Sequence, residues 1–331
     1  MTRSATLRSL AKVNLDLRVL NLRGDGFHEL RTVFQTISLA DTIDIACEPA
    51  RRTTLTIDDA LAIPDNLVLR AAQATLDALE VHAKVNFRLR KKIPMGGGLG
   101  GGSSNAAAVL LALPVLVGRR LPFPQLSGIA GSLGSDVPFF LRGGTAMAVD
   151  RGTELYDLPD LKPEFMLLIA SGIHVATGPA YTALGRGPGL TSTEMSRKIS
   201  DFRHFVRALG ELRSAEAAGV ASDNDFESAV FDQHPHLKTM WRSLRKRAAG
   251  ARMTGSGSAL FAVFGSKSSR DAAQKSLEGD RVFRDCRVMP ARIVSGRSYR
   301  RLWRAQLAEH LAPVSAAEND SLWPPRSRYE R

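Results

Sequence analysis

Six of the seven residues from Gly96 to Gly102 are glycine, and few structural contexts tolerate that density. Ahead of the run, Val85, Phe87 and Leu89 alternate with Asn86, Arg88 and Arg90, the period of a half-buried strand over Lys84–Arg90. Behind it, Ser103–Leu113 is rich in Ala and Leu, which predicts a helix closed by Pro114. A strand, a glycine loop and a helix N-terminus in series make an anion site. Glycine lets the backbone approach phosphate oxygens, and the first helical turn offers unpaired N–H groups at the positive end of the dipole. Ser103 and Ser104 supply hydroxyls that cap the helix, contact a phosphate or hold a magnesium ion. No Gly-Lys-Ser/Thr ends the loop, so it is not a Walker A motif. A flexible linker is the bland alternative, but linkers rarely join a period-2 strand to an alanine-rich helix.

The rest of the composition narrows the class. The 331 residues are 44% apolar and 24% charged, a globular composition long enough for two domains. No long uncharged apolar run predicts a transmembrane helix, and the first residues lack a signal-peptide core. Cys47 and Cys286, far apart and without nearby ligand partners, suggest a reducing compartment and no metal cage, so a cytoplasmic location is expected. A net charge of +12 favours anionic partners such as nucleotides, phosphorylated metabolites or nucleic acid. The basic residues are densest in Lys238–Arg252 and Gly296–Arg304, where a solvated helix face or tail is an equally good reading.

Along the chain, residues 10–20 read as a strand with Lys12, Asn14 and Asp16 on one face. That face is either solvated or functional. Asn21–His28 is a turn around Asp25-Gly26. Strands follow at Leu30–Leu39, Thr42–Cys47 and Thr53–Ile57, then a helix over Asn66–Glu80 capped by Asp65 or Asn66. Phe123–Leu133 reads as a helix ending in Gly134-Ser-Asp-Val-Pro-Phe-Phe140, and Gly143–Val149 as a strand. Glu164–Ala170 is a short strand, Gly172–Thr191 a Gly/Pro-rich loop, and Thr193–Leu212 and His236–Ala249 are helices. A second glycine loop, Met253-Thr-Gly-Ser-Gly-Ser258, precedes the apolar strand Ala259–Phe264. A helix over Ser268–Leu277 and a strand over Arg287–Val294 complete the pattern. Neither half alternates regularly, so the fold class is α+β. From Gly296 the chain is Arg-rich, with a short helix over Arg300–Leu311. The final fifteen or so residues read as disordered or docked by Trp323 alone.

Three separated blocks, Ala11-Lys-Val-Asn-Leu15, Pro94-Met-Gly-Gly-Gly-Leu-Gly-Gly-Gly-Ser-Ser-Asn-Ala-Ala107 and Met253-Thr-Gly-Ser-Gly-Ser258, together resemble the GHMP kinase superfamily. Arg23-Gly-Asp-Gly-Phe-His28, Thr32-Val-Phe-Gln35 and Gly134–Phe140 look like a branch acting on a cytidine diphosphate-linked methylerythritol. The resemblance covers roughly residues 10 to 295. It implies an N-terminal domain like domain 2 of ribosomal protein S5 over 1–152 and a ferredoxin-like C-terminal domain over 153–295. Residues 296–331 remain as a basic, partly disordered extension. The implied reaction moves the ATP γ-phosphoryl group to the tertiary 2-hydroxyl of the methylerythritol unit, in non-mevalonate isoprenoid precursor synthesis. ATP and Mg2+ are the implied cofactors. No nucleic-acid or membrane partner is implied, and a monomer or weak homodimer is expected.

Carried over by position, Lys12 and Asp136 match the catalytic pair. A carboxylate suits a hydroxyl that must lose its proton, and a lysine offsets the developing charge. Pro94, Met95, Gly96, Gly97, Gly98, Leu99, Gly100, Gly101, Gly102, Ser103 and Ser104 match the ATP phosphate loop. Asn66 matches the adenine and ribose contact, with helix capping as its alternative. Asn14 contacts substrate or orients the lysine. Phe27 and His28 match the pair that receives cytosine, although tyrosine is expected at 27. Tyr181 falls where a second aromatic sandwiches the base, and Thr177 near the diphosphate or ribose. The Thr254–Ser258 loop, with Gly255 and Ser256, closes the cleft on substrate phosphate. Ser104 is the one protein oxygen suggested for magnesium. The alternatives are another kinase of the superfamily (homoserine, mevalonate or galactose) and an RNA-binding protein with an S5-like fold.

Overall fold

The computed structural model describes residues 1–185, 189–313 and 323–330. Two sheets carry the architecture. Strands β1 (Arg3–Leu22) and β2 (His28–Pro49) form a long antiparallel pair. On its other edge, β2 pairs first with β5 (Thr145–Val149) and then with β4 (Ala83–Arg90). Strands β3 (Thr54–Asp59) and β6 (Glu154–Asp157) complete the six-stranded sheet. The second sheet has the order β10-β7-β9-β8, from β7 (Phe165–Ala170), β8 (Arg252–Met253), β9 (Leu260–Phe264) and β10 (Arg287–Arg292).

Helix α1 (Leu67–Ala78) is capped by Asn66, whose side-chain oxygen accepts from Val68 N at 3.0 Å. Helix α2 (Gly101–Val117) is buried on all sides from Ser104 to Leu116. It packs among α1, β1, β2, α3 (Phe123–Leu133) and α4 (Val137–Arg142). Such a helix reads as an unbroken apolar run. Pro114 does not close it, contrary to expectation. The proline removes one backbone bond, the packed surroundings hold the last turn, and Gly118 in the left-handed conformation ends it.

The second half adds α5 (Thr177–Ala183), α6 (Ser192–Leu212), α7 (Ala215–Ala218), α8 (Phe226–Gln233), α9 (Pro235–Arg245) and α10 (Lys267–Glu278). Thus the expected loop over Gly172–Thr191 contains a short helix. The two strands expected at Leu30–Leu39 and Thr42–Cys47 are one strand, continuous through Ala40 and Asp41.

The C-terminal segment begins with α11 (Gly296–Gln306), four residues earlier than expected. Its Tyr299 and Trp303 are buried in the core of the first sheet and its helices. Residues 323–330 also dock there. Trp323 Nε1 donates to Leu141 O at 2.7 Å, and Ser327 Oγ donates to Val115 O at 2.7 Å. Tyr329 lies against Gly118. Docking by Trp323 alone is therefore corrected for these residues. Of the final fifteen or so residues to which that expectation applies, 317–322 and 331 lie outside the described residues. Among the described residues, no helix is long and apolar enough to cross a membrane.

Candidate active site

Strand β1 is the frame of the site. Every residue from Ser9 to Leu20 is buried, including Lys12, Asn14, Asp16 and Arg18. The polar face read as possibly solvated is covered. Register irregularities lie between Leu10 and Lys12 and between Asn14 and Asp16, so the intervening segment is locally re-aimed.

The edge of β1 away from β2 receives three segments. Lys12 N donates to Leu99 O of the first glycine loop at 3.1 Å. Asn14 N donates to Thr254 Oγ1 of the second glycine loop at 3.0 Å. Leu17 N donates to Asp223 O at 2.8 Å, and Asp225 N returns a bond to Leu17 O at 3.0 Å. A single strand edge thus sets both loops relative to Lys12.

The Lys12 ammonium donates to Asn14 Oδ1 at 2.7 Å and lies 3.3 Å from Asp136 Oδ2. Its position is fixed further by the Phe34 ring, 5.0 Å to the centroid. Asn14 is oriented in turn: its Nδ2 donates to Thr32 Oγ1 at 2.8 Å, and Thr32 donates to Asp16 O at 2.6 Å. Asp136 sits in the turn between α3 and α4. Its side chain makes no cap bond and is 33% exposed, so one carboxylate faces both the lysine and open space.

The two glycine loops touch through positions that admit no side chain. A Cβ on Gly98 would lie 2.1 Å from Thr254 O, and one on Gly100 would meet the Phe140 ring and Lys12 Cγ. Both glycines are left-handed. Asp41 ties the first loop down at both ends. It is fully buried, pairs with Lys91, accepts from Lys92 N and Ile93 N at 2.7 and 2.8 Å, and accepts from Asn105 Nδ2 at 3.2 Å.

Two cavities border the segment of the first loop, one at Ser103 and one at Pro94–Gly97. One, of about 950 Å3, is lined by Phe27, His28, Ser103, Asp136, Thr177 and Tyr181 among others. It brings together candidates from four separate parts of the sequence. Thr177 Oγ1 lies 3.2 Å from Ser256 Oγ, linking α5 to the second loop. The Tyr181 ring stacks on His28 at 5.0 Å rather than on Phe27, and meets Phe226 edge-on. Burial, with Asp136 adding to it, pushes the Tyr181 hydroxyl up to about 12, so it stays neutral. Phe27 is 52% exposed, in a turn held by Arg23, which pairs with Asp25, Glu29 and Asp150.

The other cavity, about 510 Å3, is lined by Pro94, Met95, Gly97, Lys92, His174 and Arg287 among others. Asn66 is not among its lining residues. Both ends of its amide are engaged locally, with Val68 N and Asp59 Oδ2. Ser104 is also turned away, since its buried hydroxyl donates to Leu10 O at 2.7 Å.

Sequence reasoning passed over Arg151 and Ser135 in the larger cavity, the Thr32 brace and the Asp41 tie. The guanidinium of Arg151 lies 4.8 Å from the Phe27 ring centroid. Arg151-Gly152 signals a turn and nothing more. Asp41 looks like a break between strands. Neither carries a motif of its own.

The models for "GHMP kinases N terminal domain" and "GHMP kinases C terminal" match residues 66–144 and 202–281. The chain is 49% identical to the 4-diphosphocytidyl-2-C-methyl-D-erythritol kinase of Solibacter usitatus, over 99% of this chain and 98% of that one. The chain belongs to the GHMP kinases, in the branch of these enzymes. A Thermotoga maritima kinase of the same name is 38% identical over 79% of this chain and 92% of its own. A crystal structure of 4-(cytidine 5'-diphospho)-2C-methyl-D-erythritol kinase superposes with a TM-score of 0.69 at 33% identity, covering 88% of this chain and 99% of that one. Homoserine kinase from Cytophaga hutchinsonii superposes at 0.66 with 18% identity, a likeness of fold alone. This GHMP kinase is a small-molecule phosphotransferase of α+β fold with ATP as phosphate donor. The homoserine, mevalonate and RNA-binding alternatives are not favoured.

Proposed function

We propose that this kinase transfers the γ-phosphoryl group of ATP to the 2-hydroxyl of 4-diphosphocytidyl-2-C-methyl-D-erythritol, yielding the 2-phosphate and ADP. One observation carries the reading. A single cavity has the Phe27, His28 and Tyr181 rings as lining and the Asp136 carboxylate and Ser103 at the mouth of the glycine loop. An aromatic end receives a pyrimidine, and a carboxylate beside a phosphate loop receives the hydroxyl to be phosphorylated. The names of the full-length relatives agree with this assignment.

In this reading Asp136 takes the acceptor proton as the new O–P bond forms and the bond to the ADP oxygen breaks. The proton then leaves to solvent through the exposed side of the carboxylate. Lys12, held by Asn14, offsets charge on the transferred group. The left-handed glycines and the first turn of α2 direct backbone N–H groups at the phosphates. Phe27 and Tyr181 contact the cytosine, and Thr177, Gly255 and Ser256 border the diphosphate. Pro94, Met95 and Gly97 line the nucleotide side. Asn66 serves there by capping α1.

Magnesium fits this site as a hard cation carried mainly by nucleotide oxygens. Among the described residues no three His, Cys, Asp or Glu side chains are grouped to hold a metal. Ser103 and Asp136 are among the protein oxygens that line the cavity; Ser104, committed to Leu10, is not. When bound, magnesium neutralises the β- and γ-phosphates.

The test is ADP release with Mg-ATP and four acceptors: 4-diphosphocytidyl-2-C-methyl-D-erythritol, homoserine, mevalonate and galactose. Turnover with the first alone, with 31P NMR placing the phosphate on the oxygen of the tertiary hydroxyl, is expected. Turnover with another acceptor instead would overturn the cytosine pocket while keeping the kinase.

A further inference from the structure

The segment Ser222-Asp-Asn-Asp-Phe-Glu227 has no part in the reading so far, yet it supplies three hydrogen bonds that hold the start of the second glycine loop. Asn224 is 3% exposed. Its Nδ2 donates to Met253 O at 2.8 Å and to Gly255 O at 2.9 Å, while its Oδ1 accepts from Phe226 N at 3.0 Å. Both donor hydrogens and the acceptor are used, which an amide side chain alone among residues of this size provides. Aspartate would set a charge against two carbonyl oxygens, and an apolar residue would leave both unpaired. Glu227 Oε1 accepts from Met253 N at 2.8 Å, so the chain entering the loop is gripped on either side of Met253.

Asn224 is also registered to the frame of the site. Its neighbours exchange backbone bonds with Leu17 of β1, the strand that carries Lys12. Val19 N donates to Asp225 Oδ2 at 2.6 Å, and Asp223 N to Asp16 Oδ2 at 2.8 Å. The gripped loop then presents Thr254, whose hydroxyl accepts from Asn14 N and whose carbonyl abuts Gly98. Asn14 in turn holds the Lys12 ammonium.

We propose that Asn224 is a positioning residue for phosphoryl transfer: its amide fixes the Met253–Gly255 backbone to β1, and so sets Thr254, Asn14 and Lys12 against the first glycine loop. The inference rests on the proposed kinase reaction for its kinetic consequence. Asn224 is buried and lines neither of the two cavities. Misplacing a catalytic group by about 1 Å costs roughly a hundredfold in rate, and the Gly98 contact leaves the loop no slack toward its neighbour.

In Asn224→Ala, kcat is expected to fall by about ten- to a hundredfold, with a smaller rise in KM for the cytidine substrate, because Asn224 also holds Gly255 and the Phe226 that meets Tyr181. Hydrogen exchange of residues 254–258 is expected to accelerate while that of α2 does not. Thr254→Val, which removes the hydroxyl that Asn14 N uses, should reproduce the kcat loss. The double variant should lose little more than the worse single one. Wild-type kcat in Asn224→Ala, a rise in KM alone, or unchanged exchange at 254–258 would overturn the proposal. Should Asn224→Ala fail to fold, Asn224→Asp and Thr254→Val decide on the same readouts. If the wild-type chain does not turn over the cytidine acceptor, the functional reading fails by itself, and the exchange comparison still settles the positioning.

Discussion

The two glycine loops meet at the edge of β1 and are held in different ways. The first, Gly96–Gly102, is tied at its ends: Asp41 binds the chain entering the loop and Asn105 just beyond it. Between those ties the shape is written into the loop itself, by left-handed Gly96, Gly98 and Gly100. The second, Thr254–Ser258, has left-handed Gly255 and Gly257 of its own but is set in place by partners far off in sequence, Asn224, Glu227, Asn14, Ser171 and Thr177. A loop shaped by its own residues is legible locally. A loop shaped by distant donors is not, and it can be loosened without altering one of its own residues.

The largest effect should come from breaking the first loop at its contact with the second. Gly98→Ala places a Cβ 2.1 Å from Thr254 O at a φ of 76°. Left-handed strain and overpacking together cost about 2–4 kcal/mol. Gly102→Ala, in open helical geometry with Leu67 Cδ1 at 3.6 Å, should be neutral or gain up to about 1 kcal/mol. Urea denaturation of the pair checks this. Equal losses would show that the inter-loop contact is not tight.

Next in size is the proposed cytidine end, lined by the Phe27, His28 and Tyr181 rings. Phe27→Ala should raise KM for the cytidine acceptor about tenfold, the worth of one stacked base, while KM for ATP stays put. Steady-state kinetics in both substrates separates the two. Equal rises would mean that Phe27 acts through the loops and not through the base.

The smallest effect concerns the second loop's distant anchor. Burial pushes the Glu227 carboxyl up to about 7 from its ordinary 4.5, against the opposing pull of the Met253 N–H and Arg252. The folded chain therefore retains a proton between pH 4.5 and 7 that the unfolded chain has released, and stability falls as pH rises through that window. Glu227→Gln removes this dependence and keeps the acceptor for Met253 N. Its Tm should exceed wild type by roughly 2–4 °C at pH 8 and match it at pH 4. A lower Tm at pH 8 would show that the charged form is the favoured one.

What the sequence disclosed follows the same division. The alternation in residues 10–20 put Lys12, Asn14 and Asp16 on one face, and the glycine run announced its loop, because both signals are local. That β1 is buried on both sides could not be read, since its cover comes from residues as far as 240 positions away. Asp41 looked like a gap between strands because a buried charge is explained only by its partners, Lys91 and Asn105, which the fold brings to it. Pro114 looked like a helix stop because its penalty is local while the packing that overrides it is not. Asn66 had two readings from sequence, and Ser104 had three. The structure places the amide of one on its helix cap and the hydroxyl of the other on a strand carbonyl.

The central claim is that the Lys12–Asp136 pair on the β1 frame is the phosphoryl-transfer centre. Single-turnover transfer from Mg-ATP to 4-diphosphocytidyl-2-C-methyl-D-erythritol, comparing wild type with Asp136→Asn at saturating concentrations of both substrates, tests it most directly. A rate about a thousandfold lower, with ATP affinity and Tm unchanged, is the result expected. Transfer by Asp136→Asn at the wild-type rate would contradict it.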